Sequence, residues 1–152
     1  MKLLENGITE DCKIHDTVVI VQPVNLYGCE IGRGSFIGPF VELQKGVKIG
    51  VNTRISSHSF LCEGVKVGDD CFIAHGVMFT NDLFRSRNYE EWEMFRTEVG
   101  NRVRIGSNVT VLPVKIGDHA IIGAGTVVTK DVPAKAIVVG NPGRIVKYRD
   151  DV

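Results

Sequence analysis

Aliphatic side chains recur at every sixth residue through most of this 152-residue chain. They begin at Ile8, Ile14, Ile20 and Leu26, step by five to Ile31, and continue through Ile37, Leu43, Ile49, Ile55, Leu61, Val67, Ile73 and Phe79. The period resumes at Val99, Ile105 and Val111, steps by five again to Ile116, and runs on to Ile122 and Val128. An α-helix repeats at about 3.6 residues and a strand at about two, so neither alone produces a period of six. Such a period, held over roughly 120 residues, marks a solenoid in which each short repeat stacks on the next.

A second pattern sets the shape of each repeat. With the aliphatic residue as position one, position five carries small or β-branched side chains: Val41, Val47, Thr53, Ser59, Val65, Cys71 and Val77, and later Val103, Val109, Ala120 and Thr126. Position five and the next position one are two residues apart, so on a strand they face the same way. Positions two to four are rich in Gly, Asn and Asp, as in Gly32 and Gly34, Gly50 and Asn52, Gly68 and Asp70, Gly106 and Asn108, and Gly123 and Gly125. These residues accept positive φ and mark a sharp turn. Each hexad is thus a very short strand plus a corner, and three hexads close a triangular coil of 18 residues. Coils stack by parallel pairing about 4.8 Å apart. Nineteen hexads, two of them one residue short, predict an all-β, single-stranded parallel β-helix of about six coils. Its interior is expected to be a column of position-one aliphatics, with small position-five residues filling the corners.

Charge and composition narrow the partners. Eighteen basic side chains balance eighteen acidic ones, so nothing electrostatic favours nucleic acid or an anionic membrane. No apolar run is long enough for a membrane span, and Met1 to Gly7 is too short and polar for a signal peptide. Cys12, Cys29, Cys62 and Cys71 form no CxxC pair, and Cys12 and Cys71 fall at inward position five. Free thiols in a cytoplasmic protein are expected.

From residue 8 to about 147 the repeat resembles that of the hexapeptide-repeat acyltransferases. The resemblance implies a left-handed winding, a homotrimer, and acetyl-coenzyme A lying in the groove between neighbouring helices. Packing three flat-sided prisms together covers apolar faces that a lone prism exposes. Residues 1–152 are then expected to form one acyltransferase domain, with a loop inserted at 83–98 and a short C-terminal tail at 134–152.

Candidate chemistry sits on the corners. Lys45, Glu63 and Asn81 occupy position three at intervals of 18, one above another on a single edge. The segments Ser57–Val65 and Ala74–Asp82 resemble the nucleotide-linked amino-sugar N-acetyltransferase branch, which implies that Glu63 and Asn81 contact the acceptor around its amino group. Branches that acetylate hydroxyls place a histidine in an Asn-His-Pro context before the long loop, where this chain reads Asn81-Asp82-Leu83. A hydroxyl needs a positioned general base; an amine is the better nucleophile, so the departure argues for an amine acceptor. Asn81, Glu63 and His75 are the catalytic candidates, His75 being the one candidate base, and the Gly76 N–H is a candidate donor to the thioester oxygen. His58 and His119 fall at position four and read as left-handed corner residues.

The remaining candidates bind. Residues 83–98 break the repeat and carry Trp92 and three arginines, suited to stacking on a base and pairing with a diphosphate. Arg85 and Trp92 join Lys45 and Asp82 as acceptor-binding candidates. Gly140-Asn141-Pro142-Gly143-Arg144 resembles the family's Gly-Asn-Pro-Ala-Arg element near the adenosine end of coenzyme A, which implies phosphate contacts from Lys130, Arg144 and Lys147. Around Ala124, Ile122–Thr126 supplies small residues for a pantetheine arm. No His, Cys or carboxylate cluster has ligand spacing, so no metal is expected. Three rivals remain: an O-acetyltransferase with another small acceptor, a non-catalytic β-helix used for assembly, and a γ-type carbonic anhydrase, although HxxxxH is absent. The identity of the sugar, its nucleotide and its pathway stays open.

Overall fold

A computed structural model describes Met1 and residues 7–152; residues 2–6, on which the reading against a signal peptide partly rests, lie outside the described residues. Eighteen strands of two or three residues wind into a left-handed parallel β-helix with three faces. The first face stacks Lys13–Ile14, Glu30–Ile31, Lys48–Ile49, Val65–Val67, Thr97–Val99 and Lys115–Ile116. The second stacks Val19–Ile20, Phe36–Ile37, Arg54–Ile55, Phe72–Ile73, Arg104–Ile105 and Ile121–Ile122. The third stacks Asn25–Leu26, Glu42–Leu43, Phe60–Leu61, Met78–Phe79, Thr110–Val111 and Val127–Val128. These make six complete coils, and partial turns at each end bring the solenoid to about seven.

Register follows the repeat. Position-one residues sit directly over one another, as in Ile31↔Ile49, Ile37↔Ile55 and Leu43↔Leu61. From Leu26 onward this column is buried, and Phe79 is only 1% exposed. The column opens at its first turn, where Ile8 is 42% exposed and Ile14 and Ile20 are half-buried.

Position five does more than fill space. The Ser35 hydroxyl donates to the Gly50 carbonyl at 2.8 Å and accepts from the Thr53 N–H at 2.9 Å. Thr53 repeats the pattern one coil on, donating to Gly68 and accepting from Cys71. Ser59 does the same towards Ala74 and Val77. Corner groups that short strands leave unpaired thus find partners inside the core, where an unpaired group would be costly.

Corners also explain the glycines. A Cβ at Gly68 would lie 2.6 Å from the Gly100 carbonyl oxygen, and one at Gly106 2.5 Å from the Ala124 nitrogen. At these two corners position two is a close approach between coils. Position four is left-handed instead: Asn52, Asp70 and Asn108 have φ of 52°, 54° and 58°. His58 at 62° and His119 at 61° take the same role, as expected from their place in the repeat. Phe40 adopts φ 61° without any signal in its residue type, and its ring stacks on His58 with centroids 4.8 Å apart.

Two boundaries differ from expectation. The repeat resumes at Thr97, not after residue 98, because Thr97 is itself a position-five residue, fully buried and paired with Val65. Residues 134–152 are not a plain tail: Ala136–Val139 extends the second face in parallel, and Arg144–Tyr148 returns antiparallel to it. An antiparallel strand offers the next coil no parallel template, so it ends the winding.

Gly68→Ala is expected to lower stability by about 1–3 kcal/mol, as overpacking does. Gly125→Asn should cost less than about 1 kcal/mol, because Gly125 has open space around it and asparagine tolerates its left-handed φ of 70°. Thermal unfolding of both variants measures the contrast.

Candidate functional site

Every departure from the six-residue period falls on one edge, between the third and first faces. The short steps from Leu26 to Ile31 and from Val111 to Ile116 lie there, and so does the excursion between Phe79 and Thr97. Lys45, Glu63 and Asn81 lie on this edge, brought into successive coils by the Leu43↔Leu61 and Phe60↔Met78 register. The Asn81 amide nitrogen donates to the Glu63 carbonyl at 3.0 Å. A carbonyl only accepts, so this bond fixes which way the amide is turned. The Asn81 side-chain oxygen is left as its acceptor, and it has no hydrogen-bond partner among the described residues.

The loop is tied to the same place at both ends. The Phe95 N–H donates to the Asn81 carbonyl at 3.0 Å, and the Thr97 N–H to the Gly64 carbonyl at 3.2 Å. Between them the chain makes a single short turn of 3-10 helix at Tyr89–Glu91. Two recesses of about 250 and 280 Å³ open in the loop, and Asp82 lines both. Arg85 lines the first, with its guanidinium 5.3 Å from the Phe95 ring centre, and Trp92 lines the second. Phe84 and Tyr89 project from the loop almost fully exposed.

His75, Gly76 and Ala124 belong to a different edge, between the second and third faces. His75 Nδ1 and the Ser57 hydroxyl are 2.8 Å apart on adjacent coils. Ser107 stands between His75 and Ala124, bonded through its carbonyl to the Gly125 N–H. The whole third face separates His75 from Asn81 and Glu63, so one chain does not assemble the three catalytic candidates. The reason is the repeat itself: six residues, from 75 to 81, carry the chain from one corner to the next. Ser57 was findable by counting 18 residues back from His75. Ser107 was not, because the inserted loop hides the interval. Gln44, whose side chain meets the Glu63 N–H at 3.2 Å, carried no motif.

Lys130 and Arg144 come together at the end of the helix, lining a recess of about 240 Å³ with Val128, Val138 and Ile145. Lys147 does not line it. Glycine at 143 has a local cause: a Cβ there would approach the Thr126 methyl and a Val138 methyl at 2.9 Å. An open trough of about 1080 Å³ along the first face, bordered by Lys13, Glu30, Lys48, Lys66, Glu98 and Lys115, contains none of the candidates.

Burial disfavours the thiolate at three of the four cysteines. Burial pushes Cys62, next to Glu63, up to about 11, and Cys71 likewise to about 11. Burial, with Cys12 beside it, pushes Cys29 up to about 12. Reaction would need the thiolate, which burial disfavours.

Two family models match this chain. One, described as the hexapeptide repeat of succinyl-transferase, matches residues 46–80 and 96–130; the other, bacterial transferase hexapeptide, matches residues 28–62. The bifunctional protein GlmU of Paracoccus denitrificans is 35% identical over 133 residues, covering 81% of this chain and 30% of that protein. The GlmU of Streptococcus agalactiae is 33% identical over 146 residues, covering 95% of this chain and 30% of its own length. The chain thus spans about 30% of these relatives. Among solved structures, a hexapeptide-repeat acetyltransferase of Vibrio cholerae complexed with acetyl-coenzyme A is 28% identical with a TM-score of 0.73, over 82% of this chain and 73% of that one. A mutant of AntD, an N-acyltransferase from Bacillus cereus in complex with dTDP and coenzyme A, has a TM-score of 0.81 over 91% of this chain and 84% of its own. Its identity, 22%, carries the likeness in fold alone.

Proposed function

Because the chain belongs to the hexapeptide-repeat transferases, we propose that it moves an acetyl group from acetyl-coenzyme A to the amino group of a sugar carried on a nucleotide. The observation that carries this reading is the Lys45–Glu63–Asn81 track on the edge where the long loop leaves and returns. A carboxylate and an outward amide oxygen, one coil apart, are acceptors suited to the N–H groups of an amine. Trp92 supplies an aromatic ring for a base on one recess, whereas the recess of Arg85 is lined also by Asp82, Glu91 and Glu93, whose carboxylates oppose a diphosphate there.

The donor fits the other edge. Gly76, Ser107 and Ala124 leave room for a pantetheine arm beside the main chain. Lys130 and Arg144 line one recess and suit phosphate groups, with Lys147 three residues beyond Arg144 on the same strand. The coenzyme supplies a thioester, whose carbonyl carbon the amine attacks; the C–N bond forms as the C–S bond breaks, and the thiolate takes up the proton that the amine loses. The Gly76 N–H, expected from the sequence to hold the thioester oxygen, instead donates to the Ser57 carbonyl of the preceding coil at 3.0 Å and is taken up by the stack. Glu63 and Asn81 hold the amine in line. Positioning of this kind can supply several kcal/mol.

Donor and acceptor groups stand on different edges of one prism, so the complete site forms where an edge of one copy meets the other edge of a neighbour. Three copies close that contact as a ring. Among the described residues no helix is long and apolar enough to cross a membrane. Four unbridged cysteines, three of them buried, suit a reducing compartment such as the cytoplasm.

Thiol release from acetyl-coenzyme A, measured across a panel of nucleotide-linked amino sugars and their hydroxyl counterparts, should appear with an amino sugar only. Asn81→Ala should depress turnover and acceptor binding while leaving acetyl-coenzyme A binding nearly intact. His75→Ala should cost less than about tenfold, with the pH profile following the amine of the substrate; a loss of about 100-fold would instead make His75 the general base. Lys130→Ala with Arg144→Ala should weaken coenzyme binding by on the order of 1–3 kcal/mol in calorimetry. Light scattering should report a trimer at micromolar concentration, and a stable monomer would contradict the shared site.

A further inference from the structure

Resting on that reading of the acceptor edge, we propose that Gln44 is its positioning residue, holding the Glu63 main chain, and through it Asn81, where the acceptor amine is met. The basis is a run of side-chain hydrogen bonds that climbs the third face towards this edge. Asn25 Nδ2 donates to Glu42 Oε2 at 3.1 Å, and Gln44 Nε2 donates to Glu42 Oε1 at 3.2 Å. The Glu63 N–H then donates to Gln44 Oε1 at 3.2 Å, and Asn81 Nδ2 to the Glu63 carbonyl at 3.0 Å. Four consecutive coils are joined by bonds outside the sheet ladder.

The direction of this run is set by chemistry. An ionised carboxylate only accepts, so Glu42 draws the nitrogen of the Gln44 amide towards itself. The amide oxygen is then left for the Glu63 N–H, which sits at a corner where no strand pairs with it. Gln44 directly follows the strand Glu42–Leu43, two residues from Glu42, and the Gln44–Glu42 bond shows the two side chains on the same outward side. Tyr27, one coil below Gln44, packs against both; burial and the Glu42 carboxylate hold its phenol above the usual tyrosine range, so it keeps its proton. The ionisable groups around Gln44 are Glu42, Tyr27, Glu63 and its chain neighbour Lys45.

Glu63 is thereby held on both sides of its own residue, by Gln44 at the nitrogen and by Asn81 at the carbonyl. Its exposed side chain stays free to meet a ligand. A side chain with no contact to the acceptor then decides where the two that touch it stand. An error of this kind in placement can cost about 100-fold for each ångström.

Two variants of the full-length protein test this in the thiol-release assay. Gln44→Leu should lower acceptor kcat/KM by about tenfold or more, leave the KM for acetyl-coenzyme A unchanged, and remove the protection of the Glu63 amide from hydrogen exchange. Gln44→Glu sets two carboxylates against each other; once one of them takes a proton, it donates to the other and still accepts from Glu63. Its rate relative to wild type at the same pH should therefore rise as the pH falls from about 8 to about 5.5. A merely structural role would give a constant ratio. Should Gln44→Leu not fold, the pH ratio and the Glu63 amide in Gln44→Glu carry the test. Wild-type acceptor kinetics in both variants, with Asn81→Ala impaired, would overturn the role of Gln44 and leave the edge standing. Wild-type kinetics in Asn81→Ala as well would overturn the edge and this role with it.

Discussion

Strands of two residues have no partner within their own coil, so hydrogen bonding in this protein runs from each coil to the next. This constraint governs everything else. It demands that successive coils be in register, because one residue of slip would turn the core column outward. It brings successive coils into close approach at Gly32, Gly50, Gly68 and Gly106, where a Cβ would meet the main chain of the next coil. It also leaves corner groups without ladder partners, and Ser35, Thr53 and Ser59 meet them from inside. Stability is then a property of neighbouring coils taken together, as in other stacked repeats.

The same constraint explains where irregularity is allowed. If two edges keep their spacing, the third can lose a residue or take in a loop without disturbing the register of the faces. All of the irregular steps fall on the edge between the third and first faces. That edge also carries Lys45, Glu63 and Asn81, and the recesses of the loop open beside it. Regular edges build the scaffold, and the irregular one is free to carry individual side chains.

In the proposed arrangement a single prism is also incomplete as a site. Small residues suited to a thin, extended ligand lie on the edge of His75 and Ala124, and polar residues suited to an amine lie across a whole face from them. Three of the thiols, Cys29, Cys62 and Cys71, are buried, which disfavours their thiolates. What chemistry the protein performs therefore depends on polar groups placed by the repeat, met by a neighbouring copy in the proposed arrangement.

By itself the sequence determined the solenoid, its triangular section, the inward residues and the left-handed corners, including His58 and His119. It could do so because each of those features depends on spacing within a coil, and spacing is written in the order of residues. The stack of Lys45, Glu63 and Asn81 was legible for the same reason, since no insertion interrupts its intervals of 18. Tertiary structure decided the rest. It showed the return of the repeat at Thr97, the closing strand at Arg144–Tyr148, and the bonds that join Gln44 to Glu63. These depend on which coils lie in contact and which way a side-chain amide is turned. Only the folded chain decides that, because the partner of each polar group belongs to a different coil.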